Sequence, residues 1–150
     1  MRTFRSIAEM QSFVGEEIGV SDWITVTQER IQLFADATGD HQWIHLDTER
    51  AKQGPFGATI AHGFLTLSLL PEMSASAFRV EDTKMGVNYG LNKVRFPAPV
   101  PSGSQLRGRF KLLKYELLEG GAQVTVEVTM EREGSDKPVC VAESVSRRFA

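Results

Sequence analysis

Between Ile60 and Leu70 the chain runs without a single aspartate, glutamate, lysine or arginine, and Pro71 follows at once. A run that is apolar nearly all round, not on one stripe, belongs to a helix buried on most sides. The spacing predicts a core helix from about Ala61 to Ala77, with a kink or an end near Leu70. Proline there removes a hydrogen bond and clashes with the turn before it. Whatever this chain folds into must wrap that helix. Just upstream, the polar stretch from Gly39 carries Asp40 and His45, a carboxylate and an imidazole five residues apart. On one helix those positions would point roughly 140° apart. If the two groups meet, they meet on a loop, and Gly39 supplies the freedom to start one.

The wrapping material lies on the C-terminal side. From Lys84 onward the period drops to two. Val87, Tyr89 and Leu91 alternate with Asn88, Gly90 and Asn92, then Val94 and Phe96 take the opposite parity. A parity switch beside a glycine predicts a bulge. Leu106 to Leu117 reads as a long strand, Glu119-Gly120-Gly121 as a hairpin turn, Val124 to Met130 as a half-solvated strand, and Val139 to Phe149 as the last.

Helices come first. Ser6 to Val14 reads as a short helix, Gly15 and Gly19 bracket a turn, and Ser21 to Val26 is a weak strand. Thr27 caps a helix whose stripe is Ile31, Phe34 and Ala35 and whose terminator is Gly39. Asp47 to Lys52 adds a turn or two, and Gly54-Pro55-Phe56-Gly57 breaks it. Helices followed by antiparallel strands make an α+β chain. One long central helix wrapped by an antiparallel sheet is the hot-dog arrangement, expected here as a single domain over 1–150.

Composition excludes several classes. The formal net charge of −2 leaves no basic footprint for nucleic acid. No stretch reaches the about 18 apolar residues of a membrane span, and the first residues lack the apolar core of a signal peptide. The lone Cys140 rules out an internal disulfide, so a cytoplasmic protein is expected. Three scattered histidines and one cysteine give no metal-ligand spacing.

The run Asp40-His41-Gln42-Trp43-Ile44-His45, followed by His62-Gly63-Phe64-Leu65, resembles the MaoC-like dehydratases, which include the (R)-specific enoyl-CoA hydratases. The longer pattern through Phe34–His45, Gly54–Pro71 and Tyr89–Ser104 is similar to the subgroup named after nodulation protein N. That resemblance implies a dimerised hot dog, an acyl-CoA substrate and no cofactor. It also implies hydration of a trans-2-enoyl-CoA to a (3R)-hydroxyacyl-CoA, or the reverse. One position departs from the pattern: the family loop usually reads Asp-x-Asn-Pro, and Gln42-Trp43 stand in place of Asn-Pro. Trp43 must then hold the loop by packing.

Hydration needs a base for the water, a proton for the α-carbon and donors for the thioester oxygen. Asp40 and His45 are the candidate catalytic pair, since an imidazole exchanges protons near neutral pH. Their residue types leave open which one takes the water proton. The Gly63 backbone N–H, in the first turn of the core helix, is the candidate oxyanion donor. Trp43, Lys93 and Arg95 are candidate substrate contacts; Arg107, Arg109 and Lys111 read first as solvated strand charges. His62 reads as a satisfied core histidine, and His41 as an exposed residue without a role. Two other readings share the fold: an acyl-thioester-binding protein without catalysis, and a thioesterase whose water attacks the carbonyl.

Overall fold

A computed structural model describes residues Met1 to Ala150. Its elements in chain order open with β1 (Arg2–Phe4), a 3₁₀ segment (Ala8–Phe13), β2 (Glu17–Val20) and β3 (Ile24–Val26). Helices α1 (Gln28–Thr38), α2 (Trp43–Leu46), α3 (Thr48–Lys52), α4 (Gly63–Ser68) and α5 (Leu70–Ala77) follow. The chain closes with β4 (Phe78–Val80), β5 (Met85–Arg95), β6 (Ser104–Leu118), β7 (Gly121–Arg132) and β8 (Cys140–Phe149). The large sheet is antiparallel in the order β2-β6-β7-β8-β5, and β3 also pairs with β6. A second, parallel pair joins β1 to β4.

The sheet curls around α4 and α5. Leu65, Leu69, Met73 and Ala77 face inward against Phe110, Leu112, Val124, Val128 and Ala142, all within one buried cluster. This is the hot-dog arrangement expected from the sequence. The expected central helix is shortened at its start and divided. Ala61 cannot join it because its N–H is spent on the Val100 carbonyl and Ile60 bridges Pro101, so the backbone stays extended until His62. The division falls at Leu69, two residues before Pro71, whose missing N–H cannot close the turn. The helix is also less enclosed than its composition implied. Phe64 is 71% exposed, and Ser68, Pro71 and Ala75 are open along the same side.

Local chemistry sets the boundaries. The Thr27 hydroxyl accepts from the Arg30 N–H, and Gly39 closes α1 at φ 84°. The expected turn is present at its Gly15 end, where Val14 and Gly15 turn the chain with Gly15 at φ 92°, but from Glu17 through Gly19 the chain is strand β2. Gly19 sits under α5, where an added Cβ would stand 2.4 Å from the Ala77 carbonyl oxygen. The glycine marks a close backbone approach inside a strand, not a reversal. The expected bulge in β5 is present as register shifts between Asn88 and Gly90 and between Leu91 and Val94.

Candidate active site

Asp40 stands on the first residue after the Gly39 cap. Its Oδ1 accepts from the Gln42 N–H at 3.3 Å, which leaves Oδ2 facing back toward the core. His45 is not on a loop. It lies on the single turn α2, and Trp43 opens that turn at the first helical position, where proline is favoured for its fixed φ. Trp43 has a stacked guanidinium where a proline ring would stiffen the chain: Arg50 lies 4.0 Å above its ring, and Gly54 packs close to it, where an added Cβ would stand 3.2 Å from the indole.

His45 is 6% exposed and held through both its ring and its backbone carbonyl. Its Nδ1 donates to the Ile60 carbonyl at 2.7 Å. The Gln28 amide donates to the His45 carbonyl at 2.8 Å, and Gln28 in turn accepts from the Thr59 hydroxyl at 2.6 Å. Ile60 donates its N–H to the Ile44 carbonyl. A carbonyl only accepts, so the neutral imidazole carries its proton on Nδ1 and a bare lone pair on Nε2. That Nε2 faces Asp40 Oδ2 across 3.9 Å, too long for a direct hydrogen bond and short enough for one water to touch both. Asp40 itself is half open to solvent.

His62 is the correction to the sequence reading. It is buried at 3% exposure, but its hydrogen bonding is not complete. Nε2 donates to the Asp40 carbonyl at 3.0 Å, while Nδ1 has no partner. Its ring stacks on His45 with centroids 3.8 Å apart and planes 22° apart, and Phe34 closes the other side at 4.8 Å. Two of the three histidines therefore come together: Asp40, His45 and His62 bring one ligand-type atom each within 4.8 Å of one another. His41 turns away, and its ring together with the Gln32 amide holds the Asp36 carboxyl below the usual carboxylate range.

These groups line a cavity of about 490 Å³ whose walls include Asp40, His45, His62, Gly63, Phe64 and Phe96. Gly63 opens α4, so its N–H has no intrahelical partner. A Cβ at Gly63 would meet the Phe96 ring at 3.1–3.2 Å. Beyond Gly63 and Phe96 lies a second, more apolar cleft of about 280 Å³ lined by Phe56, Pro97, Pro99 and Val139. Trp43 lines neither cavity. Arg95 donates to the Val94 carbonyl at 2.8 Å and precedes the wall residue Phe96, and Lys93 is exposed on the same strand. Sequence reasoning missed Gln28, Thr59 and Phe96; only the folded chain brings them to the histidine or the cavity.

A helix start beneath a loop carboxylate and a buried imidazole, inside a hot-dog sheet, is the layout of an enzyme site. The chain matches the family model described as MaoC like domain over residues 9–134. It is 58% identical over 151 residues to 3-hydroxyacyl-thioester dehydratase Z of Mycobacterium tuberculosis (strain H37Rv), with all of both chains covered. Nodulation protein N of Rhizobium leguminosarum bv. viciae is 51% identical over 140 residues, 91% of this chain and 87% of that one. Among solved structures, the unliganded R-hydratase PhaJ1 from Pseudomonas aeruginosa superposes with a TM-score of 0.77 at 24% identity, covering 97% of this chain and 86% of that one. The chain belongs to the MaoC-like dehydratase family, and with it to the hydro-lyases.

Proposed function

We propose that this protein hydrates trans-2-enoyl-CoA to (3R)-hydroxyacyl-CoA, or runs the reverse dehydration, with a water held between Asp40 and His45. The observation that carries the reading is the 3.9 Å gap between a carboxylate oxygen and an imidazole Nε2 whose tautomer is set by Ile60. A water in that gap donates one hydrogen to each group. As its oxygen bonds to the β-carbon, the neutral imidazole takes the proton on the lone pair of Nε2, which the Nδ1 bond to Ile60 leaves free. Asp40 orients the water and stabilises the imidazolium. The same proton then passes to the α-carbon, so water adds across the double bond with its atoms accounted for. The Gly63 N–H faces the charge that gathers on the thioester oxygen. His62 is a positioning residue: it ties the Asp40 carbonyl to the His45 ring. Lys93 and Arg95, exposed on the strand that leads into Phe96, are the proposed contacts for the CoA phosphates.

The working unit is a homodimer. Strand β5 ends the sheet with one free edge and exposes Met85, Val87, Tyr89 and Leu91 beside the open side of α4. An uncovered edge of that length invites pairing with a second copy. No helix is long and apolar enough to cross a membrane, and a cytoplasmic location fits the lone reduced cysteine. No cofactor enters these steps.

Crotonyl-CoA incubated with the purified protein tests the reaction. Loss of the enoyl absorbance without free thiol is hydration. Release of free CoA thiol would assign a thioesterase instead, and an unchanged spectrum a binding protein.

A further inference from the structure

Strand β8 turns Ala142, Ser144, Ser146 and Arg148 toward the inside of the hot dog, beside α5. Ala142 is core. The next residues on that face are polar, where a curled sheet should be apolar. They open onto two adjoining cavities of about 390 and 220 Å³, which share Leu70, Pro71, Asn88 and Ser144 as walls. Phe78, Phe110, Val126 and Val128 are the main apolar walls of the smaller one, with Ser74 of α5 among its polar ones.

Arg148 closes the far end. It pairs in register with Gly86 on one side and Ala122 on the other, so no bulky neighbour fills the space around its stem. Its guanidinium lies 5.2 Å from the Phe78 ring, its Nε is buried without a partner, and no carboxylate in the chain pairs with it. Burial holds the guanidinium below its ordinary pKa, a sign of charge left uncompensated. The side chains of Asn88, Ser144 and Ser146 make no hydrogen bond within the chain either, though all three line the same space. A forked cation with free hydroxyl and amide neighbours beside the rings and valines of this cavity suits a carboxylate attached to a hydrocarbon.

The cavities run along the helix that starts at Gly63. Across α4 and α5, divided at Leu69, the path from Gly63 to Ser74 is at most about 16 Å at 1.5 Å per residue. Resting on the hydratase reading above, we propose that the acyl chain lies along α4 and α5 and that the preferred substrates are long-chain enoyl thioesters bearing a carboxylate at the far end, paired with Arg148.

The test compares kcat/KM of the full-length protein for trans-2-tetradecenoyl-CoA and for its ω-carboxylated counterpart of equal length. The wild type should favour the carboxylated substrate at least about tenfold, the worth of a charge-assisted hydrogen bond in a partly dry site, and the gain should appear mainly in KM. Arg148→Gln should abolish that ratio, and Arg148→Lys should keep part of it. Equal kcat/KM for the two substrates in the wild type overturns the proposal, as does a ratio that survives Arg148→Gln. Loss of the dimer in Arg148→Gln with no substrate preference in the wild type would give the arginine to the subunit interface and also overturn it. If Arg148→Gln does not fold by circular dichroism, the wild-type ratio and Arg148→Lys decide. Crotonyl-CoA is too short to reach Arg148, so its turnover by the wild type reports on hydration alone. Should that turnover be absent, calorimetric binding of the two saturated long-chain acyl-CoA thioesters still reads the site, with the same tenfold preference expected and equal affinities overturning it.

Discussion

Gly63 shows how one missing methyl is read. From sequence, the absent Cβ leaves room for a thioester. In the fold, the added Cβ points at Phe96, 3.1–3.2 Å from its ring. Phe96 is partly exposed and free to give a few tenths of an ångström, so Gly63→Ala should change stability by less than about 1 kcal/mol. It should still cost turnover, because the displaced ring is a wall of the catalytic cavity. Thermal melts and crotonyl-CoA rates for Gly63→Ala in wild-type and Phe96→Ala backgrounds separate two routes. If the methyl acts through Phe96, it does no further harm once that ring is gone. If it blocks the thioester directly, the loss persists. His62 differs because its value was hidden from sequence. Nothing in a lone histidine before a glycine announces a ring stacked 3.8 Å from another imidazole. The α2 turn and the start of α4, more than a dozen residues apart in sequence, create that contact.

Elements with local causes were legible. Thr27 and Gly39 bound α1 through their own side chain and φ, and the two-residue period of β6, β7 and β8 follows from one buried face. Elements decided by distant partners were not. The strands β1 and β4 are three residues each and exist through each other, which no window on either can show. The start of α4 was misplaced because the Val100 carbonyl holds Ala61 from across the chain. The turn at Gly15 is local, but Gly19 at its far expected end belongs to strand β2; its reason is the α5 backbone 2.4 Å from where a Cβ would stand. Gly19→Ala should therefore destabilise the fold by about 1–3 kcal/mol through overpacking against main chain that cannot rotate away. Chemical denaturation checks this. A midpoint equal to wild type would mean that β2 and α5 are less tightly apposed than described.

At the scale of the whole molecule, the sheet is closed on itself at every strand but its ends. The β5 edge carries exposed Val87, Tyr89 and Leu91 next to the open side of the central helix. Light scattering at micromolar concentration should give the mass of two chains, and a stable monomer would contradict the pairing of edges. The candidate catalytic cavity sits where the start of the core helix, the turn bearing His45 and the end of β5 meet, so on the proposed reading the fold frames two proton-handling groups. Rates for crotonyl-CoA with wild type, Asp40→Asn and His45→Gln from parallel preparations test that claim most directly. Each single variant should stay folded and lose at least about 10²-fold in kcat, and the double variant should be little worse than the poorer single one, because the two groups share one water. Near-normal turnover in either single variant would remove that residue from catalysis and with it the water-bridged pair on which the account rests.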